Sequence, residues 1–370
     1  MDQVLFVSKP VAPPWNDSSK NLVRDIAGHL QRRSPILMGR KGQENPIGMG
    51  RIAEVYGPPS DGGFSPALSD NLSVLRHLLL GRSANIWHFF FAPNPKSSAA
   101  GRFAKTLRRV PTVHTVCSVP SESVNMKRVL FADVTVVLSR FSHDRFVQAG
   151  VPESALRVIP PSVPAMTEPS AHDRSTLRQA HSLPNGVPVW IYPGDLEFGG
   201  GAEIALEAFA ASGNRDAILL MACRRKTSKA DDALSALKEQ AHKWGIDQRI
   251  RWVGETPKIH ELLALSDFVV MVNRSPYAKM DYPLVVLESM LLGRAVVVGE
   301  GTPSEELTAS GGALAVATDG QAVADVIDQL GDDAARRSDV EKGARELVES
   351  KLSPREVAAQ YEHLYDELHA

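Results

Sequence analysis

Short, continuously apolar runs alternate with amphipathic stretches along almost the whole chain. VLFVS (4–8), NIWHFFF (85–91), TVHTV (112–116) and VTVVLS (134–139) are such runs in the first half. VPVWIYPG (187–194), AILLMAC (217–223), RIRWVG (249–254), DFVVMVN (267–273) and AVVVGE (295–300) repeat the pattern in the second. A strand that is apolar on both faces must be covered on both faces. The alternation therefore predicts an α/β fold of parallel sheets with helices packed above and below. KNLVRDIAGHLQRR (20–33) carries its apolar residues at helical spacing and reads as one of those helices.

The series is interrupted once. IPPSVPAMTEPS (159–170) is rich in proline and serine and reads as a linker, and a new strand–helix series begins at Val187. With 370 residues the chain has room for two domains of roughly 150–200 residues each. The expected division is a doubly wound domain over 1–165, a second over 166–350, and a terminal helix over 351–370 packing back toward the first. That terminal stretch, SPREVAAQYEHLYDELHA, opens with a serine suited to capping and a proline suited to the first helical turn.

Charge divides unevenly between the halves. Residues 1–165 hold 20 lysines and arginines against 11 acids, whereas the remainder holds 21 against 32. The basic half suits either an anionic partner, such as a phosphorylated acceptor or an acidic membrane surface, or simply an arginine-rich solvated face. Cys117 and Cys223 are far apart and have no CxxC spacing, which argues against a disulfide framework or a cysteine-based zinc site and fits a reducing compartment. MDQVLFVSKP reads as a first strand, not a signal peptide, and no apolar run reaches the roughly 18–20 residues of a membrane span.

Several common chemistries are disfavoured by missing motifs. The turn after the first strand is SKPVAPPWNDSSKN, with no glycine, so the GxGxxG of a dinucleotide enzyme is absent. Pro10, Pro13 and Pro14 stiffen it, and Trp15 and Asn16 are placed to line a pocket. A P-loop, GxSxG and HExxH are absent too, and no metal cluster is evident; Asp231 and Asp232 sit in a polar helical segment.

Two segments of the second half remain as candidates. YPGDLEFGGGAEIALEAFA (192–210) runs from a strand through glycines, including Gly199 and Gly200, into a helix. Those glycines either let backbone amides approach an anion at a helix N-terminus or serve a turn that needs positive φ. In YAKMDYPLVVLESM (277–290), Pro283 suits a first helical turn, with Asp281 or Tyr282 near the cap. The amides of Leu284 and Val285 would be free to hold a phosphate. Glu288 falls among apolar neighbours. Its carboxylate either accepts from two ligand hydroxyls or faces solvent on one stripe of the helix.

These segments resemble the retaining glycosyltransferases of family four, which have the GT-B fold. MDYPLVVLESMLLGRAVVVG matches the second half of the family's paired-glutamate motif. TVHTV, DVTVVLSRFSHDRFVQAGVPESALRVIPPSV, RIRWVGETPKIHELLALSDFVVMV, TPSEEL and GGALAV match further segments in order over nearly the whole chain. The resemblance implies two Rossmann-like domains facing a central cleft, the first binding the acceptor and the second a nucleotide-sugar donor. Carried over residue by residue, Glu288 holds the ribose hydroxyls, and the amides of Leu284 and Val285 meet the donor diphosphate. Gly254 to Thr256 touch the base, and His114 the donor sugar; without the resemblance, a histidine beside an apolar strand also suits a structural role. Two departures stand out. The first glutamate of the pair falls at Met280, with Asp281 one position later as its substitute. The loop after the first strand of the second domain has Asp195 in place of an arginine, and glycines near the position of a lysine. Arg224, Arg225, Lys226 and Lys279 are candidates for the missing charge, Arg224 first among them.

The implied reaction moves a sugar, with retention, from a UDP- or GDP-sugar to the hydroxyl of a glycan, a lipid-linked molecule or a small molecule. It needs no metal and no further cofactor. His114 and Asp281 are the expected catalytic residues. The remaining donor-binding set is Glu288, Leu284, Val285, Arg224, Lys279, Gly199, Gly200 and Thr256. Acceptor candidates are the loop from Lys9 to Lys20, the region after Phe91, and SSAAGRFAKTLRR (97–109), which reads either as a membrane-surface or anionic-acceptor helix or as a solvated one. The expected location is cytoplasmic, with peripheral contact at the inner membrane face, and no nucleic-acid partner is expected. The alternatives are an epimerase or hydrolase of nucleotide sugars on the same fold, and a nucleotide-sugar-binding protein without catalysis.

Overall fold

The computed structural model describes residues 2–58, 68–81, 84–120, 124–277 and 279–368. They form two compact units. The first comprises Met1–Pro164, Tyr277–Tyr282 and Lys351–Ala370, and the second Ala165–Pro276 and Pro283–Ser350.

The first unit is built on β1 (Gln3–Val7), β2 (Ser34–Arg40), β3 (Arg51–Tyr56), β4 (Ile86–Phe90), β5 (Thr112–Thr115), β6 (Val134–Val137) and β7 (Leu156–Val158). They make one parallel sheet in the order β3-β2-β1-β4-β5-β6-β7. The second unit has β8 (Val189–Tyr192), β9 (Ile218–Met221), β10 (Ile250–Trp252), β11 (Phe268–Met271), β12 (Ala295–Gly299) and β13 (Leu314–Val316). These are also all parallel, in the order β10-β9-β8-β11-β12-β13. Each sheet winds outward in both directions from its first strand. The switch points lie between β1 and β4 and between β8 and β11. In open α/β sheets, ligands bind beyond the carboxyl ends of the strands at such a point.

The central strands are the buried apolar runs, with β4, β5, β6, β8, β9, β11 and β12 covered along their lengths. The strands without a continuous apolar run lie at the sheet edges. β3 reads RIAEVY with polar residues outward, and β7 and β13 are three residues each. The helix expected over 20–33 is shorter, running Ser18–Ala27 with Gly28 at its C-cap. The backbone N–H groups of Gln31 and Arg32 instead donate to the Glu362 carboxylate, at 3.0 and 2.6 Å, and β2 follows at once.

Glu362 belongs to the terminal helix Pro354–Glu367, which Ser353 caps by accepting from the Glu356 N–H. Its buried face carries Val357, Ala358, Tyr361, Leu364 and Tyr365. Within the first unit this face meets His88 of β4. The Tyr365 hydroxyl lies 2.6 Å from His88 Nδ1, Thr115 Oγ1 lies 2.7 Å from Nε2, and the Tyr361 hydroxyl closes the chain at 3.1 Å from Thr115. Burial, then the nearby His114, push the His88 imidazole well below its ordinary range, so the ring is neutral and each nitrogen needs its hydroxyl partner. Among the described residues, no helix is long and apolar enough to cross a membrane.

Replacing Tyr365 by Phe removes one of those partners and leaves a ring nitrogen of His88 buried without a bond. The expected loss is about 1–3 kcal/mol in urea-induced unfolding. An unchanged midpoint would show that the Tyr365–His88 bond adds nothing net to the stability of the fold.

Candidate functional site

The carboxyl edge of the second sheet collects most of the residues singled out from the sequence. Gly199 and Gly200 follow β8 with φ of +80° and +68°, conformations that side chains rarely adopt. Gly201 opens the helix Gly201–Ala211 under a different constraint. A Cβ there would lie 2.6 Å from Asn273 Oδ1 and 2.8 Å from the Val272 carbonyl, so only glycine admits this approach of helix to strand end. Asn273 Oδ1 is buried with no hydrogen-bond partner. Next to it, Arg274 donates from its backbone to the Gly199 carbonyl at 2.7 Å and from Nη1 to the Gly200 carbonyl at 3.2 Å. Its guanidinium fills the space into which a side chain at position 200 would project. Glu207 lies 3.3 Å from it.

Arg224 follows β9 and is not alone. Asp195 and Arg224 extend the β8–β9 pairing by one parallel bridge. The Asp195 carboxylate accepts from Arg224 Nη2 at 2.9 Å and from Lys226 Nζ at 3.0 Å. The carboxylate is almost wholly buried, whereas both cations are partly open to solvent. Two cations share this one carboxylate at the strand ends. Glu197 lies beside it, accepting from the Thr227 N–H at 2.9 Å and from the Lys226 N–H at 3.2 Å.

Thr256 lies in the turn after β10, where its hydroxyl accepts from the Lys258 N–H at 3.1 Å. The helix that follows, Ile259–Leu265, carries His260. His260 Nε2 approaches Glu288 Oε1 at 3.3 Å, which links the turn to the carboxylate on the helix Leu284–Leu291. The Glu288 side chain is 11 % exposed and the His260 side chain 53 %. The helix of Glu288 begins one or two residues later than the sequence suggested. Pro283 is itself the cap residue, with φ of −56° and ψ of 131°, and no side chain caps the first turn. The amides of Leu284 and Val285 precede the first intrahelical bond, which Val286 N–H makes to the Pro283 carbonyl at 2.9 Å.

The remaining residues belong to the first unit. Asp281 does not act as a helix cap because its carboxylate is taken up by Ser139, whose hydroxyl donates to Oδ2 at 2.6 Å in a buried setting. The Lys279 carbonyl accepts from Val119 N–H at 2.9 Å. His114 is wholly buried on β5 beside the rings of Phe91 and Phe131, with centroids 4.3 and 5.4 Å away. Its Nε2 donates to the Phe91 carbonyl at 3.0 Å, which leaves Nδ1 as a bare acceptor, buried and without a partner. Among the described residues, no group of three or more His, Cys, Asp or Glu is arranged to hold a metal ion.

Residues 173–347, which cover most of the second unit and the segment Tyr277–Tyr282 of the first, match the family model of the group 1 glycosyl transferases. Solved structures of similar fold span both units. Anabaena HepE, solved in complex with UDP and glucose, superposes with a TM-score of 0.81 at 18 % identity, over 99 % of this chain and 100 % of that one. The sucrose-phosphate synthase of Thermosynechococcus elongatus gives 0.77 at 17 %, over 100 % and 99 %. A glycosyltransferase from Rickettsia africae gives 0.74 at 16 %, over 99 % and 98 %. No curated protein sequence matches the chain at a significant level. At these identities the likeness is one of fold, and it defines two doubly wound parallel-sheet units of the GT-B type.

Asp195 stood out from the sequence only as a departure, not as the clamp of two cations, and two further residues at these strand ends were not singled out at all: His260 against Glu288, and Arg274 against the glycine loop. The last two are separated from their partners by 28 and 74 positions, so only the parallel crossovers bring them together.

Burial pushes the His114 imidazole down to about 4, against the opposing bond to the Phe91 carbonyl. A histidine held neutral in this way stabilises the fold fully above its ordinary pKa of 6.5. That contribution is lost as the pH falls from there toward 4, because the unfolded chain takes up the proton first. Between pH 7 and pH 5 the expected loss from His114 alone is about 2 kcal/mol, read from urea midpoints, with His88 adding in the same direction. Equal stability at the two pH values would rule out a neutral, buried His114.

Proposed function

We propose that the protein is a retaining glycosyltransferase that takes its sugar from a nucleotide-diphosphate donor bound at the carboxyl edge of the second sheet. One observation carries the reading. The glycine loop, the Arg224–Lys226 pair, the Thr256 turn and the uncapped helix with Glu288 follow the carboxyl ends of β8, β9, β10 and β11, four adjacent strands of which three lie on one side of the switch point and one on the other. The match of residues 173–347 to the group 1 glycosyl transferases supports it. UDP-sugars are the first donors to test, since HepE was solved with UDP-glucose.

In this reading the turn at Thr256 meets the base. Glu288 accepts from the two ribose hydroxyls, exchanging its contact with His260 for two ligand donors. The diphosphate lies over the amides of Leu284 and Val285, with Gly199 and Gly200 giving it room. Arg224, Lys226, Arg274 and Lys279 are the cations assigned to it. Their work is electrostatic. As the bond from the anomeric carbon to the phosphate oxygen breaks, negative charge grows on the diphosphate, and fixed cations and amide dipoles stabilise that state. The acceptor hydroxyl then bonds to the same face of the sugar and passes its proton to the leaving phosphate. His114 enters through its bare Nδ1, the atom that a sugar hydroxyl would satisfy, and Asp281 stands in for the acid missing at Met280. No metal is assigned a role.

The acceptor is assigned to the first unit. Its helix Pro95–Arg108 turns Phe103 and Leu107 outward beside basic residues, which supports contact with an anionic membrane surface. A second reading, binding of a nucleotide sugar without turnover, is favoured by the burial of both His114 and Asp281.

A panel of nucleotide sugars in thermal unfolding tests the donor, because a ligand of the folded state raises the midpoint by mass action. At least one donor should do so. Glu288→Ala should weaken its binding about 10- to 100-fold and depress turnover to match. No response to any donor would end the reading, and binding without turnover in the presence of varied acceptors would favour the second. Arg224→Ala separates the parts of the donor. The affinity for UDP should fall about tenfold while that for uridine stays unchanged. An equal loss for both would mean that Arg224 only shapes the loop.

A further inference from the structure

The carboxyl edge of the first sheet brings together three cations and one carboxylate, Asp17, which pairs with Lys9. Lys9 follows β1, Lys20 lies in the first turn of the helix Ser18–Ala27, and Arg40 ends β2. Gln43 ties these elements together, accepting from the Arg40 backbone N–H at 3.1 Å and donating to the Val11 carbonyl at 2.9 Å. Lys9, Asp17, Lys20 and Arg40 are all half-buried.

Their charges do not balance. Asp17 pairs with Lys9 at 2.8 Å and caps the helix by accepting from the Ser19 and Lys20 N–H groups. Burial would raise its carboxyl, but Lys9 and the cap bonds bring it down to about 2, so it is ionised and already engaged. Lys20 Nζ donates to the Ala12 and Pro14 carbonyls at 3.0 and 2.8 Å, which orient it but neutralise nothing. Arg40 Nη1 is buried and makes no hydrogen bond among the described residues. Burial lowers the Lys20 ammonium first; Asp17 opposes this, and repulsion from Lys9 and Arg40 adds to it. The nearby Glu54 carboxylate accepts from Gly42 N–H at 3.0 Å. Half-buried like charges with an unmet guanidinium donor are costly to hold unless something completes them.

We propose that Arg40, Lys20 and Lys9 form a phosphate subsite on the first unit, which takes the phosphate group of a phosphorylated acceptor. A phosphate supplies what the cluster lacks: up to two negative charges against an excess of two positive ones, and several acceptor oxygens for a guanidinium and two ammonium groups. The acceptor role rests on the transferase reading above, whereas the phosphate site does not. The group can come from a soluble sugar phosphate or from a lipid phosphate headgroup.

Isothermal titration of the full chain with inorganic phosphate and with glucose 6-phosphate, at constant ionic strength, tests the first source. Flotation with phosphatidylcholine vesicles, with and without phosphatidic acid, tests the second. The wild-type protein should bind at least one of these probes. Arg40→Gln and Lys20→Gln should each weaken that binding about tenfold or more, with the affinity for UDP unchanged. The ligand-free thermal midpoint of Arg40→Gln should equal or exceed that of the wild type, since repulsion is relieved. Binding confined to phosphatidic acid vesicles and lost in Arg40→Gln would assign the site to a lipid headgroup. Wild-type affinity in both variants, or no binding of any probe by the wild-type protein, would overturn the proposal. Failure to bind UDP would count against the donor reading and leave this site standing.

Discussion

The parallel pairing of each first strand with its fourth, β1 with β4 and β8 with β11, is the constraint on which the rest depends. Parallel neighbours cannot be joined by a tight turn, so every connection must cross a face of the sheet, and all strands deliver their carboxyl ends to one edge. At the switch point the loops diverge and leave no connection to cover the ends. Strand centres are closed to solvent by apolar contacts such as Trp190 against Phe268, at 6.4 Å. Charge is thereby excluded from the sheet interior and collects at the edges, where the loops can solvate or pair it.

How that charge is paired differs between the two edges. In the second unit a buried acid comes first. Asp195 sits directly after β8, and a lone carboxylate there would be too costly to keep, so Arg224 and Lys226 are both drawn to it. The acid is then a positioning device that fixes two cations on a strand end. Where the family resemblance led to the expectation of an arginine, this chain has the arginine's counter-ion and recruits the arginine from the next strand. The same economy appears at the terminal helix, where Glu362 accepts from two backbone amides and Arg33 reaches Asp366 at 2.7 Å.

The fold was largely legible because buried parallel strands must be apolar on both faces, which marks them as runs in the sequence. β2, β3, β7 and β13 escaped for physical reasons. The last three lie at sheet edges or pair on one side only, where half-burial suffices, and β2 was obscured by the helical spacing that precedes it. The helix over 20–33 was read too long because its last residues are held by Glu362, more than 300 positions away. At the candidate site, single residues with strong local signals were visible: positive-φ glycines, a proline at a helix start, a carboxylate in an apolar run. Pairings were not. Nothing local to Asp281 indicates Ser139, and nothing local to Glu288 indicates His260, because the crossovers of the sheet make both contacts.

The state of the polar groups at the two edges also separates residues already satisfied from those that await a partner. Asp281 has Ser139, Arg224 and Lys226 have Asp195, and Thr256 has its own turn. A ligand must compete with such partners, so their worth to binding is the difference between two good interactions. His114 Nδ1, Asn273 Oδ1 and Arg40 Nη1 have no partner and are buried. A buried polar atom left bare costs of the order of 1–3 kcal/mol, and a chain keeps that cost most readily where binding relieves it. The three differ in accessibility. His114 and Asn273 lie under packed neighbours, so a ligand reaches them only with a local rearrangement. Arg40 is half-buried, and two further cations stand around it. Nη1 itself is as covered as the other two atoms, but it sits on a half-buried side chain at the end of a strand, so an anion meets it through a shift of the guanidinium and not of the core.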